Sequence, residues 1–288
     1  MHSWTLSRRF AVSGGSVAYD ILGDGPPIVL VHGTPFSSTV WRRIAPLLAR
    51  ERRVHVYDLL GYGQSEKRAG QDVSLGVQNE VLAALLEHWG LAAPDIVGHD
   101  FGGATVLRSH LLNGRAYRSI TLIDPVAVAP WGSPFVRHVR QHTAAFDGLP
   151  GYIHAAVVPA YIRDAVRRRM TDAELASYVA PWLGEAGQPA FYRQIAQMDQ
   201  AYTDEVEGRY GEIVTPTLIL WGEDDQWIPI ERGRQLHATI PGSRFVAVPD
   251  AGHLVQEDAP ESIVAALLPF LAAPESEQPA QDRRIRHA

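Results

Sequence analysis

An aspartate stands where a short motif would expose one side chain for chemistry. The stretch Val97–Gly103, VGHDFGG, carries a glycine two positions before Asp100 and another two positions after it. This spacing is typical of a tight turn between a strand and a helix that presents a nucleophile, most often serine. Aspartic acid ordinarily has a pKa of about 3.9, so it is ionised at neutral pH and needs no base to become nucleophilic. We expect Asp100 to attack a saturated carbon that bears a good leaving group, such as a halide or a strained ring oxygen.

Three other polar stretches follow apolar runs in the same way. His32–Pro35 comes directly after one run, Asp224 and Asp225 follow a later one, and His253 follows the last. Because the carboxyl ends of parallel strands meet at one edge of a sheet, we expect these groups to gather around Asp100. A nucleophile, a histidine and a second carboxylate together suit hydrolysis through a covalent intermediate.

The elements that must hold these groups are short β-type runs separated by helix-like segments. The predicted strands are Val17–Leu22, Ile28–Val31, Val54–Tyr57, Asp95–Val97, Ile120–Ile123, Leu218–Trp221 and Phe245–Val248. From the second run onward they are nearly continuous in apolar residues, as expected of strands buried on both faces. Because helix-like segments such as Val77–His88 and Ala104–Leu112 lie between them, the pattern predicts an α/β fold with a mostly parallel sheet. The turn residues SGGS and GDGPP also allow the first two runs to form an antiparallel hairpin at the edge.

This alternation breaks in the middle of the chain. Residues 130–211 contain runs with helical period and most of the tyrosines, which predicts a helical insertion between core segments 1–129 and 212–273. The basic run RDAVRRRM in this insertion is expected to be a solvated helix face. Residues 274–288 are polar and rich in proline and glutamine, which predicts a disordered tail.

Composition excludes several classes of partner. The 288 residues carry a formal net charge of -6, which offers no basic surface for nucleic acid. The chain contains no cysteine, so disulfides and thiolate metal sites are excluded. The N-terminal residues lack the apolar run of a signal peptide, and the longest mostly apolar stretch, Ile263–Ala273, is too short to cross a bilayer. We therefore expect a cytoplasmic protein without a membrane partner.

Several motifs in the same order resemble the α/β-hydrolases over roughly residues 10–273. HGTPFSSTVWR is similar to the HGxPxSSxxWR start, and DLLGYGQSEK to the DxxGxGxSxK segment, of the branch whose nucleophile is aspartate. That branch contains haloalkane dehalogenases and epoxide hydrolases. The resemblance implies a central sheet with helices on both faces and a helical cap inserted between two strands. It also implies a monomer or homodimer that acts on a small apolar organic substrate with water, and that needs no cofactor and no metal.

The resemblance assigns a role to each group at the strand ends. Asp100 would be the nucleophile, His253 the general base for water, and Asp225 the acid that orients the histidine. Asp225 is preferred to Asp224 because it is the third residue after Gly222, which matches the GxxD pattern of these enzymes. Asp124 is a second candidate acid, since some haloalkane dehalogenases take their acid from the end of that strand. The backbone N–H groups of Thr34 and Phe101 would form the oxyanion hole.

The substrate is indicated by the groups available to hold the leaving atom. Haloalkane dehalogenases usually have an indole N–H directly after the nucleophile, but Phe101 has no donor. Trp131, Trp182 or Trp227 would have to supply one instead. Epoxide hydrolases use two tyrosines of the cap, and spacing favours Tyr152 with Tyr202 or Tyr210. The candidates in the insertion are Tyr152, Tyr161, Tyr178, Tyr192, Tyr202 and Tyr210.

Epoxide hydrolysis is therefore the favoured prediction, with Tyr152, Tyr202, Tyr210 and Trp131 as candidate substrate contacts. Haloalkane or haloacid dehalogenation is the alternative. Fluoroacetate dehalogenases bind the substrate carboxylate with arginines in a DRxxR-type pattern that starts at the nucleophile. The corresponding stretch here, DFGGATVLR, lacks this pattern. Two further classes stay open: a cofactor-free lyase-type enzyme that uses Asp100 and His253 for proton transfer, and a ligand-binding protein without turnover.

Overall fold

One mixed β-sheet forms the centre of the structure, a computed structural model that describes residues 4–273. Its strands are β1 (Arg8–Val12), β2 (Gly15–Leu22), β3 (Pro27–Val31), β4 (Arg53–Tyr57), β5 (Asp95–His99), β6 (Ser119–Ile123), β7 (Thr217–Gly222) and β8 (Arg244–Val248). Their order across the sheet is β1-β2-β4-β3-β5-β6-β7-β8. The predicted tail, residues 274–288, lies outside the described residues.

The strands from β3 onward are parallel and largely buried. β3 pairs with β4 and β5, and β5, β6, β7 and β8 follow in sequence order. Every residue of β5, β6 and β7 is buried, which explains why these strands are almost continuously apolar. The predicted α/β fold with a mostly parallel sheet is therefore confirmed.

The antiparallel edge of the sheet differs from the predicted hairpin. β2 does not pair with β3; it pairs antiparallel with β1 on one side and with β4 on the other. The SGGS turn connects β1 to β2, and Gly14 in that turn has a φ of 88°. β1 was not predicted because it is short and mostly exposed, with the burial alternation of an edge strand.

Helices fill the connections between the strands. They are α1 (Ala45–Leu48), α2 (Leu75–His88), α3 (Phe101–Leu111), α4 (Pro134–Gln141), α5 (Thr143–Asp147), α6 (Gly151–Arg163), α7 (Asp172–Val179), α8 (Gly184–Ala196), α9 (Ala201–Glu207), α10 (Ile230–Thr239), α11 (Val255–Asp258) and α12 (Pro260–Ala272). Single 3₁₀ turns occur at Ser38–Trp41, Ala180–Trp182 and Tyr210–Glu212. Within residues 4–273, none of the helices combines the length and apolar character needed to cross a membrane.

The chain between β6 and β7, here called the helical segment, contains α4 to α9. Buried side chains of this segment, such as Val158 and Phe191, belong to the same apolar cluster as the strands. The basic run is not a solvated helix face: α6 ends at Arg163, and Arg168 in the following turn binds Glu257 and Glu174.

A group of partly buried charges, centred on one fully buried carboxylate, joins the helical segment to the rest of the protein. This Glu257 cluster consists of Arg42, Arg43, Arg168, Glu174, Tyr178 and Glu257. The side chain of Glu257 is fully buried and lies in α11, just after the loop that carries His253. Its carboxylate contacts Arg42 and Arg43, which lie between β3 and β4, and Arg168 from the helical segment.

Candidate active site

The turn between β5 and α3 presents the carboxylate of Asp100. Asp100 has a φ of 51° and a ψ of -118°, a strained combination for a residue with a side chain. The chain is packed so closely here that glycine is required on both sides of the turn. A Cβ on Gly98 would lie 2.7 Å from the backbone oxygen of Gly102, and a Cβ on Gly102 would lie 2.3 Å from the backbone oxygen of Val31. The strand, turn and helix that the VGHDFGG motif predicts are all present.

Two backbone N–H groups adjoin the carboxylate of Asp100. Oδ1 accepts a hydrogen bond from the backbone N–H of Thr34, at 2.6 Å. The N–H of Phe101 is the first of α3 and therefore has no acceptor within the helix. Thr34 is itself held from the helical segment, because its hydroxyl donates to Oε1 of Gln194 at 2.5 Å. The two backbone donors assigned to the oxyanion hole thus flank the nucleophile.

His253 lies between two carboxylates. Its Nδ1 donates to Oδ2 of Asp225 at 2.8 Å, and its Nε2 lies 3.4 Å from Oδ2 of Asp100. Asp225 is held in turn by the backbone N–H groups of Trp227 and Ile228, which donate to its Oδ1 at 2.7 and 2.9 Å. With Nδ1 engaged as a donor, Nε2 is the nitrogen that faces the nucleophile.

Opposing effects set the charge of His253. Burial alone would lower the pKa of its imidazole, but the charges of Asp225 and Asp100 outweigh burial and hold this pKa well above its ordinary value. The neighbouring His99 behaves differently, because burial and the charge of His253 lower its pKa to about 3. A neutral His99 donates from Nε2 to the backbone oxygen of His253, at 3.0 Å. This bond ties the residue before the nucleophile to the backbone of the histidine.

The second candidate acid, Asp124, lies behind this arrangement. It is fully buried at the end of β6, and its Oδ1 accepts the N–H of Gly222 at 2.9 Å. The imidazole of His253 donates to Asp225, whereas within residues 4–273 Oδ2 of Asp124 has no hydrogen-bond partner. Burial and the charge of Asp225 raise the pKa of Asp124 well above its ordinary value. The geometry therefore favours Asp225 over Asp124 as the partner of the histidine.

A small cavity opens beside Asp100. Its apolar wall is formed by Phe101, Val126, Val136, Met198, Trp227 and Ile228, together with the ring of Trp131. Thr34, Asp100, Ser133 and Tyr161 are the polar residues that line it. The ring of Tyr161 stacks on Trp227 with centroids 4.4 Å apart. Burial and the charge of Asp100 raise the pKa of Tyr161, so its hydroxyl stays protonated.

The structure does not place Tyr152, Tyr202 or Tyr210 in this cavity, contrary to the prediction. Tyr152 is 76% exposed. The ring of Tyr202 lies against the guanidinium of Arg108, and the hydroxyl of Tyr210 donates to the backbone oxygen of Ala127. Sequence spacing could not reveal this, because the direction of each tyrosine depends on how the helices pack.

The tryptophans direct their N–H groups away from the nucleophile. Trp131 lines the cavity as predicted, but its Nε1 donates to the hydroxyl of Thr203 at 2.8 Å. Trp227 donates to Asp164 at 3.0 Å. Trp182 donates to the backbone oxygen of Pro35, at 2.7 Å. These indole groups already have acceptors, so they are poorly placed to bind a departing halide.

The sequence did not single out Tyr161 and Ser133. Tyr161 was one of six candidate tyrosines, and its spacing to the others gave no reason to prefer it. Ser133 precedes α4, where its hydroxyl accepts the N–H of Val136 as an N-cap. That capping pattern was visible in the sequence but carried no sign of a second role. Across residues 4–273, no group of three or more histidine, aspartate or glutamate side chains is arranged to hold a metal ion.

The fold and the groups at its strand ends define a class of protein. The chain belongs to the α/β hydrolase fold family, whose model matches residues 26–260. It is a hydrolase of this fold, as the resemblance implied.

The chain is also similar to individual proteins, and these include more than one kind of hydrolase. The chain is 28% identical over 274 residues to haloalkane dehalogenase 2 of Mycobacterium tuberculosis, covering 91% of this chain and 93% of that protein. It is 29% identical over 282 residues to 2-hydroxy-6-oxo-2,4-heptadienoate hydrolase of Pseudomonas putida, covering 92% and 96%. A crystal structure of an α/β hydrolase fold protein from Burkholderia ambifaria matches with a TM-score of 0.91 and 58% identity over 93% of this chain and 99% of that one. The two named relatives act on different substrates, so these similarities do not by themselves identify the substrate of this protein.

Proposed function

We propose that this protein hydrolyses small apolar epoxides through a covalent ester of Asp100. One observation carries the proposal: Tyr161 lines the same cavity as the nucleophile, whereas the indole N–H groups of the three candidate tryptophans donate to other acceptors. A protonated phenol suits a leaving group that departs as an alkoxide, because an alkoxide needs a proton and a halide does not. The apolar wall suits a substrate without charge.

The first step would form the ester. Oδ2 of Asp100 attacks one ring carbon, the bond from that carbon to the ring oxygen breaks, and the oxygen receives the proton of Tyr161. Because an alkoxide is a stronger base than a phenolate, this transfer is favourable even though the pKa of Tyr161 is raised. Oδ1 stays on the N–H of Thr34 throughout.

The second step would release the diol. Once Asp100 is esterified, it no longer carries the charge that helps to raise the pKa of His253, so the imidazole returns toward its neutral, basic form. Nε2 then removes a proton from water as the water attacks Cγ of Asp100. The oxyanion develops on Oδ1, where the N–H groups of Thr34 and Phe101 would each contribute about 3 kcal/mol. The alkyl oxygen leaves with the proton from His253, while Asp225 balances the imidazolium charge. The proton that the imidazole gave up on esterification restores the phenol of Tyr161, and the proton of the released Asp100 carboxyl group returns to His253, so every group regains its starting state.

Dehalogenation is the second candidate, because the family relatives include a haloalkane dehalogenase at 28% identity. It would use the same ester and the same histidine. The bonds of the Trp131, Trp182 and Trp227 indoles to other acceptors argue against it.

A single turnover in heavy-oxygen water tests the ester. Enzyme in molar excess is mixed with one substrate at a time from a panel of epoxides, haloalkanes and haloacids, and the mass of the peptide that contains Asp100 is then measured by mass spectrometry. The covalent route places one heavy oxygen in the Asp100 carboxylate, whereas direct attack of water on the substrate places it in the product. Label that appears in the diol alone, with none in the peptide, overturns the proposal. The substrate class that turns over decides between epoxide and halide.

A further inference from the structure

Two carboxyl groups, rather than one, stand behind the catalytic histidine. Asp225 follows β7 and accepts a hydrogen bond from Nδ1 of His253, and Asp124 directly follows the neighbouring strand β6. Asp124 accepts the N–H of Gly222, three residues before Asp225, and both aspartates are at most 4% exposed. Asp124 has a φ of 41°, so it shares with Asp100 a strained backbone at the end of a central strand. Strain of this kind concentrates at functional positions.

The donors around the pair show where a proton belongs. Asp225 receives three hydrogen bonds, from the backbone N–H groups of Trp227 and Ile228 and from His253. Asp124 receives one, from the N–H of Gly222, and within residues 4–273 its Oδ2 has no donor. Two neighbouring buried carboxylates would repel each other strongly if both were ionised. A proton on Oδ2 of Asp124 removes this repulsion and is available for a hydrogen bond to Asp225.

We propose that Asp124 is a positioning residue that retains a proton and donates it to Asp225, which holds Asp225 in the orientation that receives His253. Burial and the charge of Asp225 support this state, since both raise the pKa of Asp124. The other titratable groups facing the pair are His253 and, beyond it, Asp100 and the neutral His99. The charge of His253 acts in the opposite direction on Asp124 but does not reverse the shift.

The sign of the effect on the histidine follows from this hydrogen bond. A proton donated to Asp225 partly satisfies its negative charge and so weakens its hold on the imidazolium. Without that donor, Asp225 stabilises the charged imidazole more strongly, and a higher pH is needed to make His253 a base. Asparagine at position 124 can donate from its amide to Asp225 and accept from Gly222, as the protonated acid does. Leucine has a similar size but can do neither.

Infrared spectroscopy on the protein without substrate tests the proton directly. We expect wild-type protein at neutral pH to show the carbonyl band of a protonated carboxylic acid, shifted in heavy water and lost in D124N. D100N, which changes a carboxylate of the same site, should keep the band. Absence of the band from wild-type protein, or its persistence in D124N, overturns the proposal. This measurement needs no turnover, so it stands or falls independently of the proposed epoxide hydrolysis, on which the catalytic readout below rests.

The pH dependence of turnover tests the positioning role. With a substrate from the panel, we expect D124L to turn over at least tenfold more slowly than wild type, and the acidic limb of kcat to move up by about 0.5 to 1 pH unit. D124N should recover most of the lost rate and the wild-type limb. If D124N were as slow as D124L while D225N stayed active, Asp124 would be the ionised acid and the proposal would be wrong. Should D124L fail to fold, the infrared band and the limb of D124N decide the matter.

Discussion

Replacing Glu257 with glutamine would measure how much the Glu257 cluster contributes to stability. The carboxylate of Glu257 contacts Arg42, Arg43 and Arg168 and accepts the hydroxyl of Tyr178. Glutamine keeps the shape of the side chain but removes its charge. Its amide nitrogen would also face guanidinium groups, and both are donors only. The substitution therefore leaves three cations beside a group that cannot neutralise them.

The structure sets the expected size of this effect. Removal of one partner of a buried ion pair costs roughly 3–5 kcal/mol. Here the carboxylate is fully buried, but the side chains of Arg42, Arg43 and Arg168 keep 19%, 35% and 28% of their exposure, so water can screen them once the carboxylate is gone. We expect E257Q to lower the free energy of unfolding by about 2–3 kcal/mol. In a chain of this size, that corresponds to a decrease of about 4–12 °C in the melting temperature.

An exposed ion pair in the same protein provides the matched control. Arg209 and Glu212 lie 2.8 Å apart, but their side chains are 41% and 56% exposed. E212Q removes the same charge by the same substitution, and we expect it to leave the free energy of unfolding nearly unchanged, because water screens an exposed pair. Denaturant titration of wild type and both variants, with comparison of midpoints and slopes, gives the two values.

The reasoning is wrong if the buried and the exposed substitution lower the free energy of unfolding by similar amounts. A loss in E257Q within about 0.5 kcal/mol of the loss in E212Q would mean that desolvation of the Glu257 carboxylate already cancels its attraction to the arginines. A gain of stability in E257Q would mean that the desolvation cost of the Glu257 carboxylate exceeds its attraction to the arginines.

Three other outcomes follow from the site and its surroundings. Y161F should lower kcat on epoxides about 10- to 100-fold with little change in KM, because the lost hydroxyl acts mainly on the departing oxygen; an unchanged kcat would remove Tyr161 from the mechanism. H253Q should still form the ester and fail to release it, so mass spectrometry should find substrate bound to Asp100; unmodified protein after incubation with a true substrate would contradict the division of the steps. Arg168 lowers the pKa of Glu174 from 4.5 to about 2, so the stability from Glu174 is present above pH 4.5 and is lost as pH falls toward 2. The difference between wild type and E174Q, on the order of 1 kcal/mol, should shrink across that interval in denaturant titrations, and a difference that grows would show the sign to be wrong.

Burial on both faces made the central strands predictable. Asp95–His99 and Ser119–Ile123 contain no exposed residue, so their sequences had to be apolar and left a clear signal. The groups at their ends were predictable for the same reason, since a polar residue directly after such a strand must lie at the carboxyl edge of the sheet. The edge strand Arg8–Val12 gave no such signal, because three of its five residues are exposed.

Long-range packing explains what the sequence could not predict. Arg168 looked like part of a solvated run, but the carboxylate that it binds comes from Glu257, 89 residues further along the chain. Tyr161 likewise reaches the cavity because α6 packs against Trp227, which follows β7. No local pattern encodes either contact. Helical period fixes which residues share a face of a helix, and the neighbours of that face decide which of them meets the substrate.

The residues around the cavity belong to two parts of the chain, the strand ends and the helical segment, which can change independently. Asp100, Asp225 and His253 lie at the ends of strands whose positions are fixed by the sheet, whereas Val136, Met198 and several other wall residues belong to the helical segment. Exchange of the α4–α9 connection between members of the family would therefore alter which molecules fit, and would also replace Tyr161 of α6, while leaving Asp100, Asp225 and His253 in register. Natural divergence of substrate range, and grafting in the laboratory, should both concentrate in that single connection.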